Sequence, residues 1–422
     1  MNLIKNRNFN VLFFGRLFTN IGDSVYYVAI MWFVLKLGGD SPIYTGIAGF
    51  LFTFTEGLSI FYGPIIDKIN EKKLLITASL LQAILLCILV ITSIYGLLNV
   101  WILLFFIPLL SFLSQLTYPL ESVLLPKVIS KQNLVKANSL MSIAYKGCDF
   151  LFNGIAGLML ATLSMSIILT FNSVIFFMST IIFLYLKLNI KKIKKNRGLR
   201  EEWYEYKQDF KEGLFFIKNG VILQLLLPLV FVNFLLSFVV VVLPLFANNI
   251  GGGASSYGIM TAALGLGSLA GAAGAEKVSQ KFPFGKILAA GFLLSGVSWL
   301  IMILLSNSLI WFVYVFMFIS YLSIGAINVL FSTIFQQLPD ESMIGRVNTT
   351  NISLITIAMP LGSLVGGLLA NITSTLFAMS LFGIGMLILS VFYTTSNKIR
   401  RLPKVVDIDS SYVKLVKTKF DG

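Results

Sequence analysis

The chain has 422 residues, of which 57% are hydrophobic and only 12% charged, with a mean hydropathy of +0.89. Soluble domains carry about a quarter charged residues, so a soluble globular fold is excluded. The net charge of +14 leaves two partners open, a nucleic acid or an anionic membrane surface, and the placement of the charges decides between them. Histidine is absent, and the two cysteines, Cys87 and Cys148, lie in apolar stretches without disulfide or metal spacing. Imidazole chemistry is thereby ruled out, no cofactor or metal is expected, and the cysteines read as small buried hydrophobes.

In chain order, "MNLIKNRNF" runs straight into an apolar segment with no small-residue cleavage site, as expected of an uncleaved first membrane span. A spanning helix needs about 20 mostly apolar residues. Twelve segments meet this: 10–37, 43–66, 74–94, 100–125, 138–162, 166–187, 221–247, 256–275, 286–305, 309–336, 347–370 and 374–396. The links between them alternate. Those after the odd-numbered spans hold almost no Lys or Arg, and only Lys36 lies near that side. The others hold Lys68, Lys72 and Lys73, then Lys127, Lys131 and Lys136, then a cluster from Lys187 to Lys218, then Lys277 and Lys281. The positive-inside rule places the basic links and both termini in the cytoplasm. The positive charge therefore reflects contact with membrane lipids, and nucleic-acid binding is not expected.

The longest non-spanning stretch, 188–219, divides the chain into an N-terminal six-helix bundle (1–187), a cytoplasmic linker (188–219), a C-terminal six-helix bundle (220–396) and a cytoplasmic tail (397–422). Trp203, Tyr206 and Phe210 recur at helical spacing in the linker's second half, which predicts an interfacial amphipathic helix. The two bundles look related. "SPIYTGIAGF" opens the second span and "ASSYGIMTAA" the eighth, and each continues to an acid–lysine pair, Asp67–Lys68 and Glu276–Lys277. "LPKVISKQNLVKANSL" and "LPDESMIGRVNTT" both run from Leu-Pro through a polar link to an Asn at the next helix start, Asn138 and Asn348. Two halves of the same orientation form a parallel repeat.

The loop after the second span reads Gly63-x-x-x-Asp67-Lys68-x-Asn70-x-Lys72-Lys73. It resembles the signature loop of the major facilitator superfamily, with Lys68 in place of the usual Arg and Asn70 in place of a Gly. "LPKVISKQNLVKANSL", "KEGLFFIKN", "LPLFANNIGGGASSYGI" and "LPDESMIGRVN" further resemble the proton-driven exporter branch that includes macrolide-efflux proteins and bacterial siderophore exporters. The resemblance covers nearly the whole chain. It implies an all-α polytopic membrane protein, with twelve helices in two pseudo-symmetric halves, in a bacterial cytoplasmic membrane. It also implies a monomeric antiporter, not an enzyme, that exports an amphipathic small molecule such as a macrolide in exchange for protons. A dedicated siderophore exporter is the alternative. A lipid-handling membrane protein is a further one, although the charged loops show no catalytic cluster such as paired carboxylates with His or a Ser-based nucleophile. The Gly63–Lys73 loop is a gating element in the superfamily, and it contacts the start of the eleventh span, here Gly345–Thr350. Gly63, Asp67, Lys68, Lys72, Lys73 and Arg346 are thus expected to act as a latch.

Charged groups inside a bilayer are costly and mark function. Arg16, Asn20, Asp23 and Tyr27 fall at i, i+4, i+7 and i+11 of the first span, on one face. Arg16 alternatively snorkels to the cytoplasm. Asp23 in span one and Glu56 in span two are candidate proton carriers, with Asp149 of span five next, because a carboxyl deprived of water gains affinity for a proton. The alternative is a structural ion pair. Lys146 and Asp149 lie three residues apart and either neutralise each other or leave Lys146 to attract an anionic cargo group. The superfamily's central cavity is lined by spans one, four, seven and ten. The resemblance therefore nominates Arg16, Asn20, Tyr27, Ser111, Gln115, Tyr118, Lys146, Asn233, Ser237, Tyr314, Tyr321 and Asn328 as cargo contacts, with ordinary interhelical hydrogen bonding as the plainer reading. Gly267-x-x-x-Gly271 and Gly362-x-x-x-Gly366 predict close helix crossings. No Gly-x-x-x-x-Gly-Lys-Ser/Thr loop occurs, so an ion gradient is expected to drive transport.

Overall fold

The computed structural model describes residues 6–58, 70–130, 133–187, 204, 207–208, 210–215, 221–337 and 344–408. The side chains of some helical residues, Tyr118, Lys146 and Arg346 among them, are outside that description. Among the described residues every element is helical, and ten helices are long and apolar enough to cross a membrane. Many of their large apolar side chains are exposed. That suits helices surrounded by acyl chains, where exposure of an oily face carries no penalty. The chain divides into two compact units, residues 1–199 with 247–262, and residues 200–246 with 263–422.

In the first unit, α1 (Arg7–Leu37) is the central helix. It packs against α2 (Pro42–Gly57), α4 (Val100–Val128), α6 (Cys148–Thr162) and α7 (Met165–Leu184), while α3 (Glu71–Ile94) packs between α4 and α7. Asparagine starts three of these helices. Asn6, Asn70 and Asn99 each accept the N–H three residues on, at 3.1, 3.0 and 3.1 Å, satisfying a donor that the first turn leaves open. Asn70, which stands where the superfamily signature has glycine, is thus the N-cap of α3. Gly22 lets α1 close onto α7: a Cβ there would lie 2.8 Å from the Phe176 ring.

Span five differs from its expected form. It begins at α5 (Leu134–Ser142), passes through a π-helical turn (Ile143–Gly147), and continues as α6. The wider turn interrupts the 3.6-residue period between Lys146 and Asp149. Two further corrections concern edges and burial. Asn138 and Asn348 do not start their helices. These begin at Leu134 and at Ile344, where α12 (Ile344–Ile372) opens, because the polar turns ahead of each apolar run are already helical. Cys148 is buried as expected, but Cys87 is exposed on α3, with its Sγ 3.0 Å from Ser173 Oγ of α7.

In the second unit, α8 (Val221–Asn249) and α9 (Gly253–Lys281), whose facing ends belong to the first unit, join α10 (Phe284–Leu305), α11 (Ile310–Gln337), α12 and α13 (Thr375–Thr395). Polar groups are spent on crossings: Ser390 Oγ donates to Ala289 O at 2.7 Å and Trp299 Nε1 to Met379 O at 2.8 Å. Both small-residue motifs act as expected. Gly267 and Gly271 lie against the backbone of α11 at Phe318 and Leu322, and Gly362 and Gly366 against that of α8 at Phe234 and Phe238. The described part of the tail is ordered against the second unit. A short helix, α14 (Asn397–Arg400), and the 3-10 turn Val405–Asp407 form a strap whose Ile399, Leu402, Val405 and Ile408 are buried. Its Pro403 carbonyl accepts the Phe284 N–H at 2.8 Å and so completes the start of α10. In the linker, residues 207–208 and 210–215 are helical, while Trp203 and Tyr206 lie outside the described residues.

Candidate functional site

The polar face of α1 meets α4 and the two parts of span five inside the first unit. Arg16 is fully buried, so it does not snorkel. Its guanidinium carbon lies 3.8 Å from the centroid of the Tyr145 ring, within the π turn. One turn on, Asn20 is also fully buried and its Nδ2 donates to Ala144 O at 3.1 Å. The π turn supplies both contacts, an aromatic face for the cation and a carbonyl for the amide. Asp23, half-buried, accepts from Ser114 Oγ of α4 at 2.9 Å through Oδ2. Asp149 at the start of α6 accepts from Ser24 Oγ at 2.8 Å through Oδ1. The charge of Arg16 acts on both carboxylates. Three helices thus bring two carboxylates within electrostatic range of one cation, and each carboxylate is fixed by a hydroxyl from a neighbouring helix.

A second group lies further along α1. The Tyr27 ring meets Phe52 of α2 edge-on, with centroids 5.0 Å apart, and Tyr26 meets the same ring at 6.0 Å. Glu56, one turn after Phe52, is exposed and lies within electrostatic range of Tyr27. It makes no ion pair or hydrogen bond among the described residues. Glu56 is therefore set apart from the Asp23–Asp149 pair.

A family profile described as transmembrane secretion effector matches residues 2–417. The chain belongs to the major facilitator superfamily. As a member it is a multi-pass membrane transporter. It is similar to an uncharacterized MFS-type transporter of Bacillus subtilis (strain 168), YkuC, with 25% identity over 404 residues that cover 93% of this chain and 92% of that one. A second such transporter of the same organism, YvqJ, is 21% identical over 232 residues, 55% of each chain. Among solved structures, a mutant of the nucleoside transporter NupG superposes with a TM-score of 0.74 at 11% identity, over 92% of this chain and 98% of that one. A bacterial homolog of the human lysosomal transporter Spinster, inward-facing and unoccupied, gives 0.67 at 13% identity, over 92% and 96%. Identities this low carry the fold alone.

The remaining candidates of this transporter are placed as follows. Gln115 of α4 is half-buried, while the side chains of Tyr118 and Lys146 lie outside the description. In the second unit, Asn233 Nδ2 turns back to Leu229 O at 2.9 Å and Ser237 Oγ donates to Asn233 O at 3.0 Å, both within α8. Tyr321 packs against Trp299 and Phe382 at 6.1 Å each, Tyr314 is buried edge-on to Trp311 at 5.7 Å, and Asn328 is exposed. Of the latch, Gly63, Asp67 and Lys68 fall outside the described residues, as does the side chain of Arg346. Lys72 Nζ donates to Leu184 O at 2.9 Å, capping the last turn of α7. Lys73 is exposed, and its backbone N–H is the one that Asn70 caps. Sequence reasoning missed Ser24, Ser114, Ala144 and Tyr145. Ser114 was within reach, since it shares the i, i+3, i+4 stripe of Ser111 and Gln115. The π turn carries no pattern that hydropathy registers.

Proposed function

We propose that the protein exports an amphipathic small molecule, of the size and character of a macrolide, in exchange for protons. It does so as a monomer of twelve spans, by alternating access in a bacterial cytoplasmic membrane with both termini inside. The observation that carries the coupling reading is the pair of serine-bound carboxylates, Asp23 and Asp149, both within electrostatic range of Arg16. A hydroxyl donates to a carboxylate and accepts from a carboxylic acid, so each aspartate keeps its partner whether or not it holds a proton. Such a site loads and releases protons without leaving an orphaned polar group, which inside a span would cost several kcal/mol. The ring-covered, buried Arg16 argues against its use as a direct anchor for a carboxylate-bearing siderophore.

The test is gradient-driven transport by the full-length protein in liposomes. With an acid interior, a labelled macrolide should accumulate beyond the passive trapping seen in protein-free vesicles. A protonophore should abolish the excess. Equal uptake with and without protein would overturn the reading. Orientation has its own test. After Cys87 and Cys148 are replaced by Ala, single cysteines at Asn196 and Gly252 should label oppositely with an impermeant reagent in whole cells, Gly252 from outside. Labelling of Asn196 from outside would invert every side assigned above.

A further inference from the structure

Glu56 stands apart from the other intramembrane carboxylates of the first unit. Asp23 and Asp149 each accept a serine hydroxyl and share the field of Arg16. Glu56 has no hydrogen bond or ion pair among the described residues, and it is exposed. A bare carboxylate at mid-span is costly unless something neutralises it. Among the described residues no cation is paired with it. Its described neighbours are aromatic. Phe52 lies one helical turn before Glu56 and therefore on the same face. The Tyr27 ring stands edge-on to Phe52 at 5.0 Å, with Tyr26 at 6.0 Å. Elsewhere in the first unit the Tyr257 ring stacks on Trp32 at 6.0 Å. There Lys36, paired with Asp40 at 2.9 Å, also lies with its Nζ 5.0 Å from the Trp32 centroid.

A proton would neutralise Glu56 but gains nothing from the rings. A divalent metal needs about six oxygen ligands, and one carboxylate beside phenyl and phenol rings does not provide them. An organic ammonium or other bulky cation uses both parts, the carboxylate for charge and the ring faces for cation–π attraction and apolar cover. We propose that Glu56, Tyr27 and Phe52 form an organic-cation subsite that takes the protonated or quaternary amine of the cargo. The inference rests on the export reading and narrows it to cationic amphipaths. It also separates the labour of the carboxylates, with Glu56 binding cargo and Asp23 and Asp149 carrying protons.

The test is equilibrium binding to the purified full-length protein with no gradient imposed, so that its failure is distinct from a failure of proton coupling. The probes are tetraphenylphosphonium and tetraphenylborate, which share a shape and differ in the sign of charge. The wild type should bind the phosphonium and not the borate. Glu56→Gln should weaken phosphonium binding by about tenfold or more, and Glu56→Asp should restore part of it. Should Glu56→Gln fail to purify as a monodisperse species, Tyr27→Leu carries the test, with a loss of about threefold or more expected and Tyr27→Phe close to wild type. Wild-type protein that binds neither probe, or binds both alike, would overturn the subsite. So would a well-folded Glu56→Gln that binds the phosphonium as wild type does.

Discussion

Asp23→Asn should reduce gradient-driven export to the level of protein-free vesicles while leaving gradient-free exchange of labelled cargo in place. The amide keeps the shape of the carboxyl and can still accept from Ser114 Oγ, at 2.9 Å in the native chain. It cannot take up and release a proton. If Asp23 carries the coupling ion, the variant becomes a carrier that equilibrates cargo without concentrating it. That split distinguishes lost coupling from lost folding, which would remove both activities. Ser114→Ala should cause a partial loss only, because a hydrogen bond to a charged group is worth about 1.5–3 kcal/mol and the titratable group remains. Asp23→Asn protein that still concentrates cargo, with the concentration abolished by a protonophore, would move the proton to Asp149. That residue has the same kind of partner in Ser24.

How far this site could be read in advance depends on what each signal measures. Hydropathy reports lengths of apolar chain, so the described spans lie where they were expected, with ends shifted by a few residues. Helical spacing put Arg16, Asn20, Asp23 and Tyr27 on one face, and their described partners come from the π turn, α4 and α2. The facing groups were less legible. Ala144 contributes through its backbone carbonyl, which no residue type announces. Tyr145 meets Arg16 because of a π turn, whose extra residue per turn leaves no trace in composition. Cys87 was misread because apolar surroundings in sequence imply burial only in water-soluble folds. A membrane helix can leave such a residue open to its apolar surroundings, and Cys87 is exposed even though its Sγ reaches Ser173 Oγ of α7. The strap over α10 was missed because its four apolar anchors, Ile399, Leu402, Val405 and Ile408, sit among charged residues at a spacing of three, which matches neither the helical nor the strand period.

Gly271→Leu should lower the thermal stability of the detergent-purified protein by several degrees, and Gly274→Leu on the same helix should not. A Cβ at Gly271 would run into the carbonyl oxygen of Leu322 on α11 and lie 2.7 Å from the carbonyl carbon and 3.0 Å from the Ala326 nitrogen. All three atoms are backbone, so no rotamer change relieves the overlap. The helices must separate, and the neighbouring contacts of Gly267 with Phe318 and Gly325 with Ser268 separate with them. Overpacking against yielding side chains costs about 1–3 kcal/mol, and an unyielding backbone puts this site at or above the upper end. In a bilayer or micelle no hydrophobic force draws the helices back together, because the surroundings are as apolar as the interface. Gly274 has nothing within 4 Å of its Cβ position. Leucine there removes glycine's helix penalty of about 1 kcal/mol, so the variant should be neutral or slightly stabilised. With Cys87 and Cys148 replaced by Ala, a single cysteine at the buried Ser298 of α10 supplies the readout, because its reaction with a thiol-reactive dye reports unfolding of the second unit. If the two leucine variants melt together, the backbone contact between α9 and α11 does not hold the second unit. Its stability would then reside in the crossings of α10 with α11 and α13, made through Ser295–Ser320 at 2.9 Å, Ser390–Ala289 at 2.7 Å and Trp299–Met379 at 2.8 Å.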